Sequence, residues 1–364
     1  MKSSSGEHYI ALDQLRAIAA FLVVTWHFTH STNGFPVPFE YVPGAAPFAL
    51  LDEGHTGVAL FMTLSGYLFA KLLNGKQIIY SAFIWNRALR LLPLLALVVA
   101  IDAVSKIRRG ESVLGYLHSV SRGVLLPALP NGGWSITVEF HFYILLPLLL
   151  WMFRKSASLL ITVVVIAVLL RAYLHHIHGE VQGLAYWTII GRIDQFVLGM
   201  VAYRYRGLIC ARRSVVLGLL VAFLFLYWWF DYQGGFYQYP TYPSPSPLWI
   251  VLPTLEGLAY GLVIANYDSF SFARQSHASR FLARIGEYSY SIYLLHFFFV
   301  FAAAKFVHEN IMNISNFYLA CLWSLAFFFL MLPISYVSFK LIEEPFLKLR
   351  RAYIRPDRTA ASDR

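Results

Sequence analysis

Near the start of the chain, an arginine and a histidine interrupt a long hydrophobic segment at a spacing that a helix would align. Arg16 and His27 lie eleven residues apart in LDQLRAIAAFLVVTWHFTH, with no glycine or proline between them. Eleven residues make just over three turns, so both side chains fall on nearly one face, about 16 Å apart along the axis. Because such groups are costly in lipid, we expect them to face a protein cavity or a water-filled path.

Acid–base chemistry is open to this pair. The imidazole of His27 can accept a proton near neutral pH, as general-base catalysis on a hydroxyl group requires. The competing interpretation is a histidine that merely satisfies a neighbouring carbonyl, and Asp13 at i,i+3 offers Arg16 a simple ion pair. We take the pattern to indicate a membrane enzyme rather than an anchor or a scaffold.

A second arginine pair lies in FIWNRALRLLP, where Arg87 and Arg90 share one helical face just before Pro93. Guanidinium groups bind phosphates through bidentate, charge-assisted hydrogen bonds. The residues alone favour ordinary anchoring at a cytoplasmic membrane surface over a phosphate site.

The segment WSITVEFHFYILLP predicts a polar stripe on one helix. Ser135, Glu139 and Tyr143 are spaced at i, i+4 and i+8 and therefore share a face. A carboxylate one turn inside an apolar helix should pair with an arginine or a histidine. A purely structural bond between helices explains the stripe equally well.

Two further polar stripes favour interior packing when taken by themselves. Arg192 begins one of them in IGRIDQFVLGMVAYR, and Ser289, Tyr293 and His296 align in the other. The histidine run at 175–178 lacks carboxylates, and two isolated cysteines cannot build a thiolate site. No metal is expected.

The composition places these residues in an all-α, polytopic membrane protein. Of 364 residues, 58% are hydrophobic and 13% are charged, and the mean hydropathy is +0.59. Soluble domains carry about 25% charged residues. Continuous apolar runs of helical length, without alternation, argue against a β-barrel. The net charge of +10 resides in short loops and at the C-terminus, so it indicates orientation and not a nucleic-acid partner.

About ten transmembrane helices around a central cavity are expected from the apolar runs. The predicted spans are 10–30, 55–73, 90–105, 134–153, 158–174, 186–204, 214–230, 248–266, 288–306 and 316–341. The stretch 113–127 reads as a further span or a re-entrant piece. Residues 1–346 form the membrane domain, and the basic tail 347–364 is predicted to be disordered.

The distribution of positive charge predicts that both termini are cytoplasmic. The loops on the N-terminal side carry 21 of the 29 lysines and arginines, as the positive-inside rule requires. The basic stretch 106–122 does not fit this orientation, because it is assigned to the opposite side of the membrane. Arg171 is assigned to that side as well. The outer loop 231–247 contains Tyr232, Tyr237, Tyr239 and Tyr242; such rings suit stacking on sugars, or anchoring at the membrane interface.

Taken together, these segments resemble the type-3 acyltransferase family, bacterial integral-membrane enzymes that move an acyl group from coenzyme A to a hydroxyl. The resemblance runs in family order from residue 12 to residue 346. It rests on Arg16 with His27, on HTGVALFMTLSGYL at 55–68 with its Ser65-Gly66-Tyr67, on Arg87, Arg90 and Pro93, on Trp134-Ser135 with Glu139, Tyr143 and Pro147, on Gly191-Arg192 with Phe196 and Gly199, on Tyr290, Tyr293 and His296, and on Glu343, Pro345 and Phe346.

The resemblance implies an O-acyltransferase of the bacterial inner membrane that uses acyl-CoA, by default acetyl-CoA, and a glycan or glycolipid acceptor. It implies that His27 is the base, Arg16 its essential partner, and Glu139 a group that orients or tunes His27; an acyl-enzyme route through His27 stays open. The implied donor-binding residues are Arg16, Ser65, Tyr67, Arg87 and Arg90. The implied acceptor-binding residues are Trp134, Ser135, Tyr143, Arg192, Tyr293 and His296.

A transporter or flippase of a lipid-linked or polysaccharide precursor is the main alternative. It also would need a polar cavity in the membrane that contains arginine, histidine and glutamate. Such a protein should tolerate His27→Gln better than an acid–base enzyme, and it should cleave no thioester. A purely structural membrane subunit would leave Arg16 and His27 unexplained.

Overall fold

The chain folds into a bundle of helices with one pair of short strands, seen in a computed structural model that describes residues 9–31, 34–270 and 276–356. The structure is 79% helical, which confirms the all-α class. The helices are α1 (Ile10–Thr29), α2 (Ala49–Asp52), α3 (Gly57–Leu73), α4 (Tyr80–Arg108), α5 (Val113–Arg122), α6 (Trp134–Lys155), α7 (Ala157–His178), α8 (Gln182–Trp187), α9 (Ile189–Arg204), α10 (Arg206–Ala211), α11 (Arg213–Tyr232), α12 (Gly235–Gln238), α13 (Leu248–Ser269), α14 (His277–Glu287), α15 (Ser289–Leu295), α16 (Val300–Phe306), α17 (Phe317–Ser338) and α18 (Glu344–Leu347).

Within the described ranges, eight helices are long and apolar enough to cross a bilayer, or nine if a bent pair is one span. The pair comprises Ser289–Phe298 and Val300–Ile311, which meet at 59°. About ten predicted spans are thus in rough agreement with the structure. The predicted span at 186–204 is the 16-residue α9, which is shorter than the roughly 20 residues that a bilayer requires.

Two expectations about basic segments need correction. The stretch 113–127 is not a membrane span. Its helix, α5, has only ten residues, which is too short to cross a bilayer, and most of them are exposed. Arg171 is no loop residue: it lies inside α7 with its side chain fully buried, 2.7 Å from Asp194 Oδ2. The polar partner across the helix interface allows this charge to be buried.

The C-terminal tail also departs from the prediction of disorder. Strand β2 (Ile354–Pro356) pairs antiparallel with β1 (Lys76–Ile78), and Ile78 lies opposite Ile354. Tyr353 is completely buried beside these strands. Backbone pairing and an aromatic anchor therefore hold the tail against the helices as far as residue 356, while 357–364 lie outside the described residues.

The centre of the bundle is formed by α1, α3 and α9, whose small residues allow close helix contacts. A Cβ atom on Gly66 would lie 1.8 Å from the carbonyl oxygen of Phe196, and one on Gly199 would lie 2.1 Å from that of Thr63. Such approach is typical of small-residue interfaces between membrane helices. Helix α9 is buried around most of its circumference, so it serves as the internal support against which α3 is held.

Candidate functional site

A first cavity, here called the arginine cavity, is enclosed by α1, α3, α4, α6, α9 and α15. It holds about 820 Å³ of space not filled by atoms, its open mouth included. Its polar lining consists of Arg16, Ser65, Arg87, Arg90, Ser135, Glu139, Tyr143, Ser289, Tyr290 and Tyr293. The structure therefore brings the predicted donor arginines to one cavity with the polar stripe of α6.

The arginines of this cavity differ in how they are held. Arg16 donates to Asp13 Oδ1 at 2.7 Å, which is the local ion pair that the i,i+3 spacing predicts. Arg87 is buried beside the rings of Phe69 and Phe83, with its guanidinium carbon 5.5 Å from each centroid. Its Nε atom is buried without a hydrogen-bond partner. Aromatic packing thus fixes this guanidinium while leaving hydrogen-bonding capacity for an anion.

The stripe on α6 exists as predicted and is tied together locally. The hydroxyl of Tyr143 donates to Glu139 Oε1, one turn away, and the Tyr80 hydroxyl donates to the Tyr143 carbonyl at 2.9 Å. Ser135 donates to Gly132 O at 3.1 Å. These bonds place a carboxylate and a phenol in the wall of the arginine cavity.

A second cavity, here called the histidine cavity, lies beyond the first along α1. It holds about 1180 Å³ of unfilled space, open parts included. Three histidines line it, together with many aromatic rings: His27, His30, His55, Trp26, Phe39, Trp134, Tyr186, Trp187, Tyr237, Tyr293, Phe297 and Phe301. His27 therefore faces a cavity, as the cost of a polar group in lipid predicts.

The hydrogen bonds of His27 define which of its nitrogens is free. Its Nδ1 atom lies 2.8 Å from the Val23 carbonyl oxygen and 3.3 Å from His296 Nε2. His296 Nδ1 in turn lies 3.1 Å from the Ile292 carbonyl oxygen. Because a carbonyl only accepts, both rings must carry their proton on Nδ1, and His27 Nδ1–H is shared between Val23 O and His296 Nε2. The unprotonated Nε2 of His27 remains able to accept a proton.

The other two histidines of the cavity each contact a carboxylate. His30 Nε2 lies 3.0 Å from Asp52 Oδ1, and His55 Nε2 lies 2.8 Å from Glu53 Oε2. Glu53 also accepts from the backbone N–H of Phe236 at 3.0 Å. The sequence-based prediction gave His55 no role. Its carboxylate partner lies only two residues away in the chain, and that spacing does not indicate a cavity.

The two cavities share part of their lining. Val58 on α3 and Tyr293 on α15 border both of them, and the Tyr293 hydroxyl donates to Gly132 O at 3.1 Å. Arg16 and His27 project from the one helix α1 into these two neighbouring cavities.

Glu139 lines a different cavity from His27, and its implied role in orienting or tuning His27 stays a prediction. It lines the arginine cavity, whereas Trp134 at the start of α6 lines the histidine cavity. The step of five residues from Trp134 displaces Glu139 by about 7.5 Å along the helix axis. The group that contacts His27 is His296, which the sequence placed only among residues that bind the acceptor.

Tyr67 and Arg192 lie outside both cavity linings. Tyr67 is fully buried and donates to Asp268 Oδ2 at 2.9 Å. Arg192 donates to the Tyr186 carbonyl at 2.8 Å and lies 3.4 Å from Glu256 Oε2. Both side chains make contacts between helices, although Arg192 Nη2 is buried without a hydrogen-bond partner, and their predicted binding roles stay predictions.

The sequence-based site prediction missed many aromatic residues of the linings, Tyr290 and Tyr237 among them. Tyr290 lines the arginine cavity and donates to Leu91 O at 2.5 Å. Tyr237 lines the histidine cavity, and its ring stacks on Trp26 with planes 5° apart and centroids separated by 5.8 Å. The tyrosine-rich loop signalled Tyr237 in composition, although nothing singled it out from the other tyrosines.

No group of three or more histidine, cysteine, aspartate or glutamate side chains suited to a metal ion occurs in the part of the chain that the structure describes. The two cavities present two kinds of reactive side chain. They offer guanidinium groups for an anion at one end and an imidazole nitrogen for a proton at the other.

Comparison with known proteins identifies the family of the chain. A family profile described as an acyltransferase domain matches residues 9–340, nearly the whole chain. Searches of curated proteins and of solved structures returned no match. The profile spans every helix that lines the two cavities, and this chain therefore belongs to the type-3 acyltransferase family of membrane proteins.

Proposed function

We propose that this membrane acyltransferase moves an acyl group, by default acetyl, from acyl-CoA to a hydroxyl of a sugar or glycan, with His27 as the general base. The observation that carries the proposal is the meeting of the arginine cavity and the histidine cavity at Val58 and Tyr293. A donor with an anionic head and a long, narrow arm would occupy both cavities at once. Coenzyme A thioesters have this form.

The arginine cavity is assigned to the phosphates of the donor. Arg16, Arg87 and Arg90 project into it from α1 and α4, and Ser65 adds a hydroxyl. The unpartnered Nε of Arg87 supports this assignment, because an anion would supply the missing acceptor. The pantetheine arm would then pass Val58 and bring the thioester carbonyl to His27.

At the histidine end, the acceptor hydroxyl gives its proton to His27 Nε2 while its oxygen attacks the thioester carbonyl carbon. A new C–O bond forms, the C–S bond breaks, and the departing thiolate takes the proton back from the imidazolium. The Val23 carbonyl holds the reactive tautomer, and His296 further restrains the His27 ring through its contact with Nδ1. Arg16, nearer the donor phosphates, assists by binding and not by proton transfer.

The acceptor is assigned to the aromatic part of the histidine cavity. Trp26, Trp134, Trp187 and Tyr237 line it, and flat rings with polar edges suit the apolar faces and hydroxyls of sugars. The positive-inside distribution of charge supports an orientation in which the arginine cavity opens to the cytoplasm of a bacterial inner membrane and the aromatic cavity opens outwards.

The first experiment measures transfer of radiolabelled acetyl groups from acetyl-CoA into the glycans and lipids of membranes that contain the protein. His27→Gln should reduce the rate by about 10²–10⁴, the usual contribution of a general base. His118→Gln, at an exposed position on α5, is the matched control and should leave the rate unchanged. A transporter would release no CoA thiol, and equal rates for the two variants would refute His27 as the base.

The second experiment measures binding of CoA to the purified full-length protein. Replacing both Arg87 and Arg90 by alanine should weaken binding by about tenfold to a hundredfold for each charge-assisted hydrogen bond lost. Arg108→Ala with Arg109→Ala removes the same charge from exposed positions at the other end of α4. Unchanged affinity in the first double variant would overturn the phosphate assignment.

A further inference from the structure

The C-terminal segment forms a strap along α4, where it is clamped by Asn86, the residue directly before Arg87. Asn86 Nδ2 donates to the Arg351 carbonyl at 2.7 Å, and Asn86 Oδ1 accepts from the Arg351 backbone N–H at 2.9 Å. Asn86 is wholly buried. A buried amide that satisfies both backbone groups of one residue fixes that residue firmly.

Further contacts continue the attachment beyond Arg351. The Ile79 N–H donates to the Tyr353 carbonyl at 2.9 Å, and the fully buried ring of Tyr353 lies 5.5 Å from that of Phe83. The pairing of β1 with β2 follows immediately. The strap is therefore anchored to α4, the same helix that carries Arg87 and Arg90.

Arg350 stands directly before the clamp, and its side chain is held with hydrogen-bonding groups unused. Its Nε and Nη2 atoms are buried without hydrogen-bond partners. Burial, together with the positive charges of Arg90 and Arg87, lowers the pKa of Arg350 to about 9. Glu343, the nearby buried carboxylate that acts in the opposite direction, accepts a hydrogen bond from Ser291.

Three arginines that repel one another, with Glu343 and Glu139 as the carboxylates around them, are costly to hold at a buried site unless a further anion joins them. We infer that Arg350 is a further donor-binding residue, and that it binds a phosphate group of the acyl-CoA together with Arg87 and Arg90. This inference rests on the proposed function. It does not follow from family membership, because the family profile ends at residue 340.

The strap would also position this arginine. Arg350 comes from a segment far from α4 in sequence, and the Asn86 clamp sets its place relative to the arginine pair. A purely structural role for Arg350 predicts a different outcome. Its removal would then lower the stability of the protein and change the affinity for all ligands equally. Comparing ligands with and without phosphates separates the two roles.

The test measures binding of CoA and of pantetheine, which lacks every phosphate group, to the full-length protein in lipid nanodiscs. Arg350→Ala should weaken CoA binding by about tenfold or more, as expected for a lost charge-assisted hydrogen bond, and should leave pantetheine binding unchanged. Arg351→Ala is the matched control. Its guanidinium stacks on Trp85 at 5.5 Å, and its strap contacts use the backbone, so CoA affinity should stay at the wild-type value.

The outcomes separate the inference from the proposed function. If the wild-type protein binds no CoA, the proposed function fails, and this inference fails with it. If wild-type protein binds CoA and Arg350→Ala binds it equally well, only the inference is overturned. Equal loss of CoA and pantetheine binding in Arg350→Ala would also overturn it, since that result marks a structural role. Restoration of CoA affinity by Arg350→Lys would support a charge interaction.

Discussion

Replacing His296 by phenylalanine tests most directly whether His27 transfers the proton while His296 only positions the His27 ring. An aromatic ring is retained at a position with no exposed surface, but the acceptor for His27 Nδ1–H is lost. That contact, at 3.3 Å, is the longer of the two that Nδ1 makes, and the shorter, to Val23 O at 2.8 Å, remains. The tautomer of His27 should therefore persist with a less restrained ring.

The expected magnitude follows from this geometry. A neutral hydrogen bond contributes about 0.5–1.5 kcal/mol, which converts to a fall in kcat of about twofold to tenfold. His27→Gln should cost about 10²–10⁴ by contrast. The KM for acetyl-CoA should not change in His296→Phe, because His296 touches no part of the donor site. His296→Gln, whose side-chain carbonyl can accept from Nδ1–H, should recover part of the rate.

The assay is steady-state transfer of radiolabelled acetyl groups into membrane glycans, with protein amounts matched by a tag. A loss in His296→Phe as large as that in His27→Gln would refute the reasoning, since it would make His296 an equal participant in proton transfer. A rate identical to wild type would refute it as well, because the bond would then contribute nothing to positioning.

Two further substitutions test the passage and the helix packing. Val58→Trp should obstruct the passage between the cavities and reduce transfer by about a hundredfold, the scale on which misplacing a reacting group acts, while CoA binding persists; transfer at the wild-type rate would argue against a path past Val58. Gly66→Ala should lower the melting temperature, because its Cβ would lie 1.8 Å from Phe196 O, whereas Gly218→Ala meets nothing within 4 Å and should not. Equal melting temperatures for the two glycine variants would contradict the close contact of α3 with α9.

The sequence by itself determined those structural features that depend on residues close together along the chain. Hydrophobic runs gave the helices because a membrane span must satisfy its own backbone. Arg16 with Asp13, and Glu139 with Tyr143, pair within one turn of a helix, so their spacing alone predicted that they share a face. Family motifs in order along the chain were likewise readable.

Features that join distant segments were decided only by the tertiary structure. His296 reaches His27 across 269 positions of sequence, and a helical stripe cannot show which other helix it will face. The spacing around Arg192 gave no indication of its contact with Glu256 on α13. The strap that brings Arg350 to α4 depends on backbone bonds to Asn86, which no side-chain pattern encodes. Periodicity sets the face of a helix, but packing sets what that face meets.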